Sequence, residues 1–143
     1  MILHDIRSLL LLQTTITSLV PAQEINRVAV PGIFVGDAIQ GFAPPYVVIE
    51  EIDTDPMLTL ADGTFGLEMV EVDISAYSYS EPGSKRLRRA IRDFFDDYSG
   101  VAGSSTIKAV ILQPGEISDY DDPKEGRDTK LYFSTVSFLV QYQ

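Results

Sequence analysis

The sequence has no cysteine, a single histidine and no pure apolar run longer than four residues, as at Leu9–Leu12. The first absence removes both a disulfide framework and a thiolate metal site. The second leaves any Ser-His-Asp triad or zinc site with His4 alone. That residue lies near a chain end of the kind that frays, so it reads as a surface histidine. The third falls far short of the roughly 20 apolar residues that a membrane-spanning helix needs. No basic region precedes a long apolar segment at the N-terminus, so the expectation is a soluble intracellular product without a signal peptide and without a membrane partner.

Bases are also scarce. There are 11 against 21 acids, for a net charge of −10. Generic binding to duplex DNA or RNA requires phosphate neutralisation, and this balance argues against it. Five of the bases fall together, at Lys85, Arg86, Arg88, Arg89 and Arg92.

What is present is the makings of one core. The chain has 143 residues, 45% hydrophobic and 22% charged, which fits a single globular domain over 1–143. Met1 to Val20 reads as a helical start, with Asp5 as a cap and Ile6, Leu9, Leu10, Ile16, Leu19 and Val20 near helical spacing. Thr14, Thr15 and Thr17 are poor helix formers, so a break and a resumed turn are expected there. From Ala22 to Pro45 prolines and glycines punctuate a weak pattern, in which "RVAV" and "IFV" are candidate edge pieces.

"YVVIEEI" (Tyr46–Ile52) is a strand launched by two prolines. After a turn at Asp62-Gly63 and Gly66, Val70, Val72, Ile74 and Ala76 alternate with Glu71, Asp73, Ser75 and Tyr77, a half-buried strand. In "EPGSKRLRRAIRDFFDDYSG", Leu87, Ala90, Ile91, Phe94, Phe95 and Tyr98 form one stripe of an amphipathic helix, with Pro82 in its first turn and Gly100 at its exit. "TIKAVILQ" (Thr106–Gln113) and "KLYFSTVSFLVQY" (Lys130–Tyr142) are strands joined by a turn-rich link, and should pair as a hairpin. The expected fold is α+β: a mostly antiparallel sheet of about four main strands, with two helices on one face.

No catalytic constellation emerges. "GDAIQG" (Gly36–Gly41) lacks dinucleotide-fingerprint spacing, and there is no Gly-Lys-Ser/Thr phosphate loop. Glu50 and Glu51 are adjacent on a strand and point to opposite faces. The acid-rich link, with Asp119, Asp121, Asp122, Glu125 and Asp128, invites a calcium reading. Counted from Asp119, however, ligand position 5 is Pro123, position 6 is Lys124 and position 12 is Lys130, so the pattern fails. The link reads as a solvated hairpin tip. No cofactor and no metal are expected.

Two features point to contact with other proteins instead. The bases of the long helix load its N-terminal half and Asp93, Asp96 and Asp97 its C-terminal half, opposite to what the helix dipole favours. The basic cluster is therefore a candidate surface for an acidic neighbour, a second subunit or another partner, with a merely solvated face as the plain alternative. The last strand is apolar on both faces: Val136, Phe138, Val140 and Tyr142 on one, Leu131, Phe133 and Leu139 on the other. Either the 22–45 segment folds over the second face or another subunit does.

The N-terminal helix ending in "TTITSLV", then "PPYVVIEEI", "GLEMVEVDISAYSYS", "SKRLRRAIRDFFDDYSG", the acidic link and "LYFSTVSFLVQY" form an order and spacing that resembles the tail-terminator, or tail-completion, proteins of long-tailed bacteriophages and related phage-like particles. The irregular Ala22–Ala43 segment and the heavy basic load of the helix lie outside that resemblance. The resemblance implies a non-enzymatic virion protein. Its subunits form a ring, usually a homohexamer, that caps the head-proximal end of the tail tube, stops its polymerisation and joins tail to head. The implied partners are further copies of the chain, the major tail tube protein and a head completion or connector protein, with DNA passing through the lumen unbound. The alternatives are a head-side completion or connector protein of the same particle, and a cellular protein-binding module.

Overall fold

A computed structural model describes residues 2–52, 68–121 and 129–143. The N-terminal apolar run is helical and breaks where the threonines begin. Helix α1 (Ile2–Leu11) ends, Gln13 takes extended backbone, and α2 (Thr14–Thr17) is one resumed turn. There follow β1 (Gln23–Ile25), β2 (Val28–Val30), β3 (Ile33–Val35), β4 (Tyr46–Ile52), β5 (Glu68–Ser78), α3 (Glu81–Phe95), β6 (Gly100–Ala102), β7 (Ser105–Leu112), β8 (Ile117–Asp121) and β9 (Leu131–Tyr142). The turn expected at Asp62-Gly63 and Gly66 lies outside the described residues, as do Asp122, Glu125 and Asp128.

Seven strands make one sheet in the order β3-β4-β5-β9-β7-β6, with β8 also beside β9, while β1 and β2 pair as a separate ribbon. All pairings are antiparallel except that of β3 with β4. The class is the expected α+β, but the described residues hold nine strands rather than about four. Of the additional strands, β3, β6 and β8 are short pieces paired to a longer neighbour, while β1 and β2 pair only with each other.

The helices cover one face of the sheet, as expected. Val70, Val72, Ile74 and Ala76 of β5 and Val136, Phe138 and Val140 of β9 meet Leu87, Ile91 and Phe95 of α3, while α1 supplies Ile2, Leu3, Ile6, Leu9 and Leu10. Phe95 sits edge-on to Phe138 at 5.0 Å. Side chains of this kind contribute roughly 1.5–3 kcal/mol each when fully buried.

Helix α3 begins on the side chain of Ser80, which accepts from Gly83 N at 2.9 Å, with Pro82 in the first turn. It ends at Phe95, not at Gly100. Asp97 takes the left-handed conformation (φ 63) that turns the chain, and Gly100 already opens β6.

Asp5 does not cap α1. It lies on the buried side of the helix and accepts from Ser104 N at 3.3 Å and from the Ser104 and Ser105 hydroxyls, bracing the helix against the β6–β7 turn.

β7 and β8 run along the same edge of β9 as two halves of one strand. Leu112 faces Phe138 and Ile117 faces Thr135, so five steps on one side match three on the other. The surplus bulges at Pro114-Gly115-Glu116, where Gly115 has φ 95. This corrects the hairpin-tip reading for Asp119 and Asp121. Both are strand residues paired with Phe133 and Leu131, because the ladder of β9 continues past the bulge.

Candidate assembly surfaces

The bulge determines the fate of the basic helix face. It presents Glu116 to α3, where Arg88 Nη2 lies 3.4 Å and Arg92 Nη1 3.2 Å from its carboxylate. Arg88 also donates to Ser118 Oγ at 3.2 Å, and its side chain is only 14% exposed. Beneath it, Ser118, Ser134 and Ser84 form a hydroxyl chain with spacings of 3.1 and 3.2 Å. Lys85 pairs with Glu81 one turn earlier, at 2.8 Å. Arg88 and Arg92 thus have an acidic neighbour within the chain, Glu116. Two bases are left: Arg86 and Arg89 are exposed, make no ion pair with a described residue, and line an open depression with Glu81, Pro82 and Lys85.

The opposite, helix-free face of the sheet is ordered in rows of register partners. Tyr46, Tyr77, Phe133 and Asp119 make the first row, and Val48, Ser75, Thr135 and Ile117 the second. Glu50, Asp73 and Ser137 make the third, and Ile52, Glu71, Leu139 and Ile111 the fourth. Within the aromatic row, Tyr46 stacks on Tyr77 at 4.9 Å, and Tyr77 lies 5.7 Å from Phe133.

Phe42, from the loop after β3, packs edge-on to Phe34 at 5.0 Å and to Tyr46 at 6.2 Å. The 22–45 segment therefore covers the aromatic corner of this face and leaves the far end open. There Ile111 is 51% exposed and Leu139 is half-buried, and along the β8 edge Ile117 is 59% exposed. Leu131, by contrast, is buried, and Phe133 is half-buried in the aromatic row.

The face is also electronegative. Burial, then Tyr46 and the acids Glu50, Asp121 and Asp37, push the Tyr77 phenol above its ordinary value of 10.0. Asp73 is held by a hydrogen bond from Ser137.

The β1–β2 ribbon was only half legible. "RVAV" gave β2, but β1 carries no pattern. Its two-residue turn uses Asn26 (φ 51) and Arg27 (φ 66), the doubly left-handed geometry that matches strand twist, without the glycine that usually announces it. Gln23 clasps the ribbon's base to the next loop, donating to Ala43 O at 2.6 Å and accepting from Ala43 N at 3.0 Å. Beyond that clasp Val28 is 61% exposed, while Ile25 and Val30 are partly buried.

Among the described residues no three histidines or acids converge on a metal-sized site, and no helix is long and apolar enough to cross a membrane. No family model matches the chain, and no curated protein matches it in sequence. Its fold is similar to that of a chain in a solved structure described as the virion of a native gene transfer agent particle, with a TM-score of 0.61 at 12% identity, over 97% of this chain and 89% of that one.

Proposed function

We propose that this chain is a structural subunit of a phage-like particle, and that it assembles into a ring that ends the tail tube on its head-proximal side and joins tail to head. The observation that carries the reading is the shared fold with a gene transfer agent virion chain across nearly the whole of both molecules. The surfaces agree with it. The subunit offers Arg86 and Arg89 on its helix side and a field of acids on its bare sheet face, two unlike patches, as a head-to-tail ring requires.

In this reading the further partners are the tube protein and a head connector, and the reaction is assembly rather than catalysis. An acidic chain also suits a lumen through which DNA slides, because it does not grip phosphates.

Purified protein mixed with tail tubes and, separately, with DNA-filled heads, then imaged in negative stain, tests the role. Rings at tube ends support it, and decoration of heads alone assigns the chain to the connector side instead. Arg86→Glu with Arg89→Glu should move the assembly toward monomer in sedimentation with an unchanged circular dichroism spectrum. A ring that persists at wild-type concentration removes these two residues from the interface. Exposed pairs are weak one at a time, but repeated around a ring they add.

A further inference from the structure

The β1–β2 ribbon has one apolar side. Ile25 and Val28 are register partners, and Val30 follows on the same face. Glu24 and Ala29 face the other way, and Arg27 stands exposed at the turn. Two strands alone are marginal in water, so such a ribbon gains order from a surface laid against its apolar side. Its own subunit covers that side only in part: the ribbon pairs with no other strand, Ile25 and Val30 are partly buried, and Val28 is mostly exposed.

The far end of the helix-free face carries the complementary pattern. Leu139 and Ile111 are adjacent register partners, both at least partly exposed, and Glu71 is the next residue of the same row. Thus an apolar pair flanked by a cation on the ribbon corresponds to an apolar pair flanked by an anion on the sheet.

We propose that the β1–β2 ribbon of one copy docks on the Leu139–Ile111 end of the bare sheet face of a second copy, with Ile25 and Val28 on the apolar pair and Arg27 against Glu71. The contact is heterologous, since ribbon meets sheet and not ribbon, so repetition closes a ring or extends a filament. Charge complementarity selects a second copy as the occupant: the charged residues in the rows of the sheet face, Asp119, Glu50, Asp73 and Glu71, are all acids, and the ribbon's tip is one of the few basic points on an acidic chain.

The inference rests on the reading of the chain as an assembling subunit. Sedimentation velocity across a concentration series, on the full chain, tests it with Val28→Asp, Arg27→Glu and the double variant Arg27→Glu/Glu71→Arg. All three positions are at least partly solvent-exposed, and circular dichroism checks that the fold is kept. Val28→Asp should raise the concentration needed for association by about tenfold or more, the scale of one lost anchor residue. Arg27→Glu should weaken association several-fold, and the charge-swapped pair should recover most of that loss. If Val28→Asp and Arg27→Glu associate like the wild type, the ribbon is not the contact and ring assembly by other surfaces stands. If the wild type stays monomeric throughout, copy-to-copy docking is overturned, while binding to tube ends still judges the virion role separately.

Discussion

At the scale of single residues, Asp5 acts far from its own place in the sequence. Its carboxylate holds Ser104 and Ser105, 99 and 100 residues away, and so ties α1 to the sheet. The Ser105 hydroxyl lowers its pKa below the ordinary 3.8, burial opposes the shift, and the Ser104 amide adds to the lowering. Because the folded-state pKa lies below the unfolded one, the stability that this carboxylate adds is complete above about pH 4 and drains away as pH falls through the depressed value.

Asp5→Ala should therefore cost about 1.5 kcal/mol at pH 7 in urea unfolding, at the low end for bonds to a charged group because the site is partly wet. The gap to the wild type should shrink below pH 4, and a gap constant with pH would mean that the charge is not what matters. Gly103 belongs to the same device. Its φ of 55 suits glycine, and a Cβ there would overlap the Asp5 carboxylate. Gly103→Ala and Asp5→Ala should thus be less than additive.

At the scale of elements, the bulge between β7 and β8 turns a strand into a clamp. Glu116 serves Arg88 and Arg92 together, with side chains from 14% to 37% exposed, so the cluster lies between a surface pair and a buried one. Glu116→Ala should cost about 1–2 kcal/mol, between the values typical of exposed and buried pairs, and should lower the urea midpoint without changing the slope. A loss of only a few tenths would show that Arg88 is held by its stem and by Ser118 instead.

This clamp also shows where sequence reasoning stopped. The stripe of α3 and the alternation of β5 and β9 were legible, because burial on one face writes a period into the chain. β4 was legible to the residue, because two prolines precede a run of branched side chains. β8 was not: "ISDYD" has the composition of a turn, and it is a strand only because β9 runs on beside it. The Glu116 contact was invisible for a related reason. Opposite charges 24 and 28 residues apart carry no local signature, so the arginines looked as though they awaited a neighbour. The order of helices and strands anticipated the α+β class, but nothing in it pointed to the ribbon.

At the scale of the whole molecule, any association between copies of a chain of net charge −10 works against their mutual repulsion. Screening confines that repulsion to about 10 Å at 0.1 M salt, so local complementarity decides the outcome. The segment from 22 to 45, which looked uniform in sequence, divides in two for this purpose. Gly32, Ile33, Phe34 and Phe42 are buried within the subunit, and β3 is paired to β4. The ribbon of β1 and β2 is buried only in part, at Gln23, Ile25 and Val30, and pairs with no strand of the main sheet.

Hydrogen exchange should resolve the two parts when the assembled wild type is compared with the Arg86→Glu/Arg89→Glu protein as monomer. Amides of Ile33 to Val35 should be equally slow in both, since their protection comes from the subunit's own core. Amides of Gln23 to Val30 should exchange quickly in the monomer and slow by about tenfold or more on assembly, because the ribbon's order then depends on a neighbour's sheet. Slow exchange in both states would mean that the Gln23 clasp and the turn at Asn26-Arg27 suffice to hold the ribbon. In that case its apolar side would contribute little order on assembly.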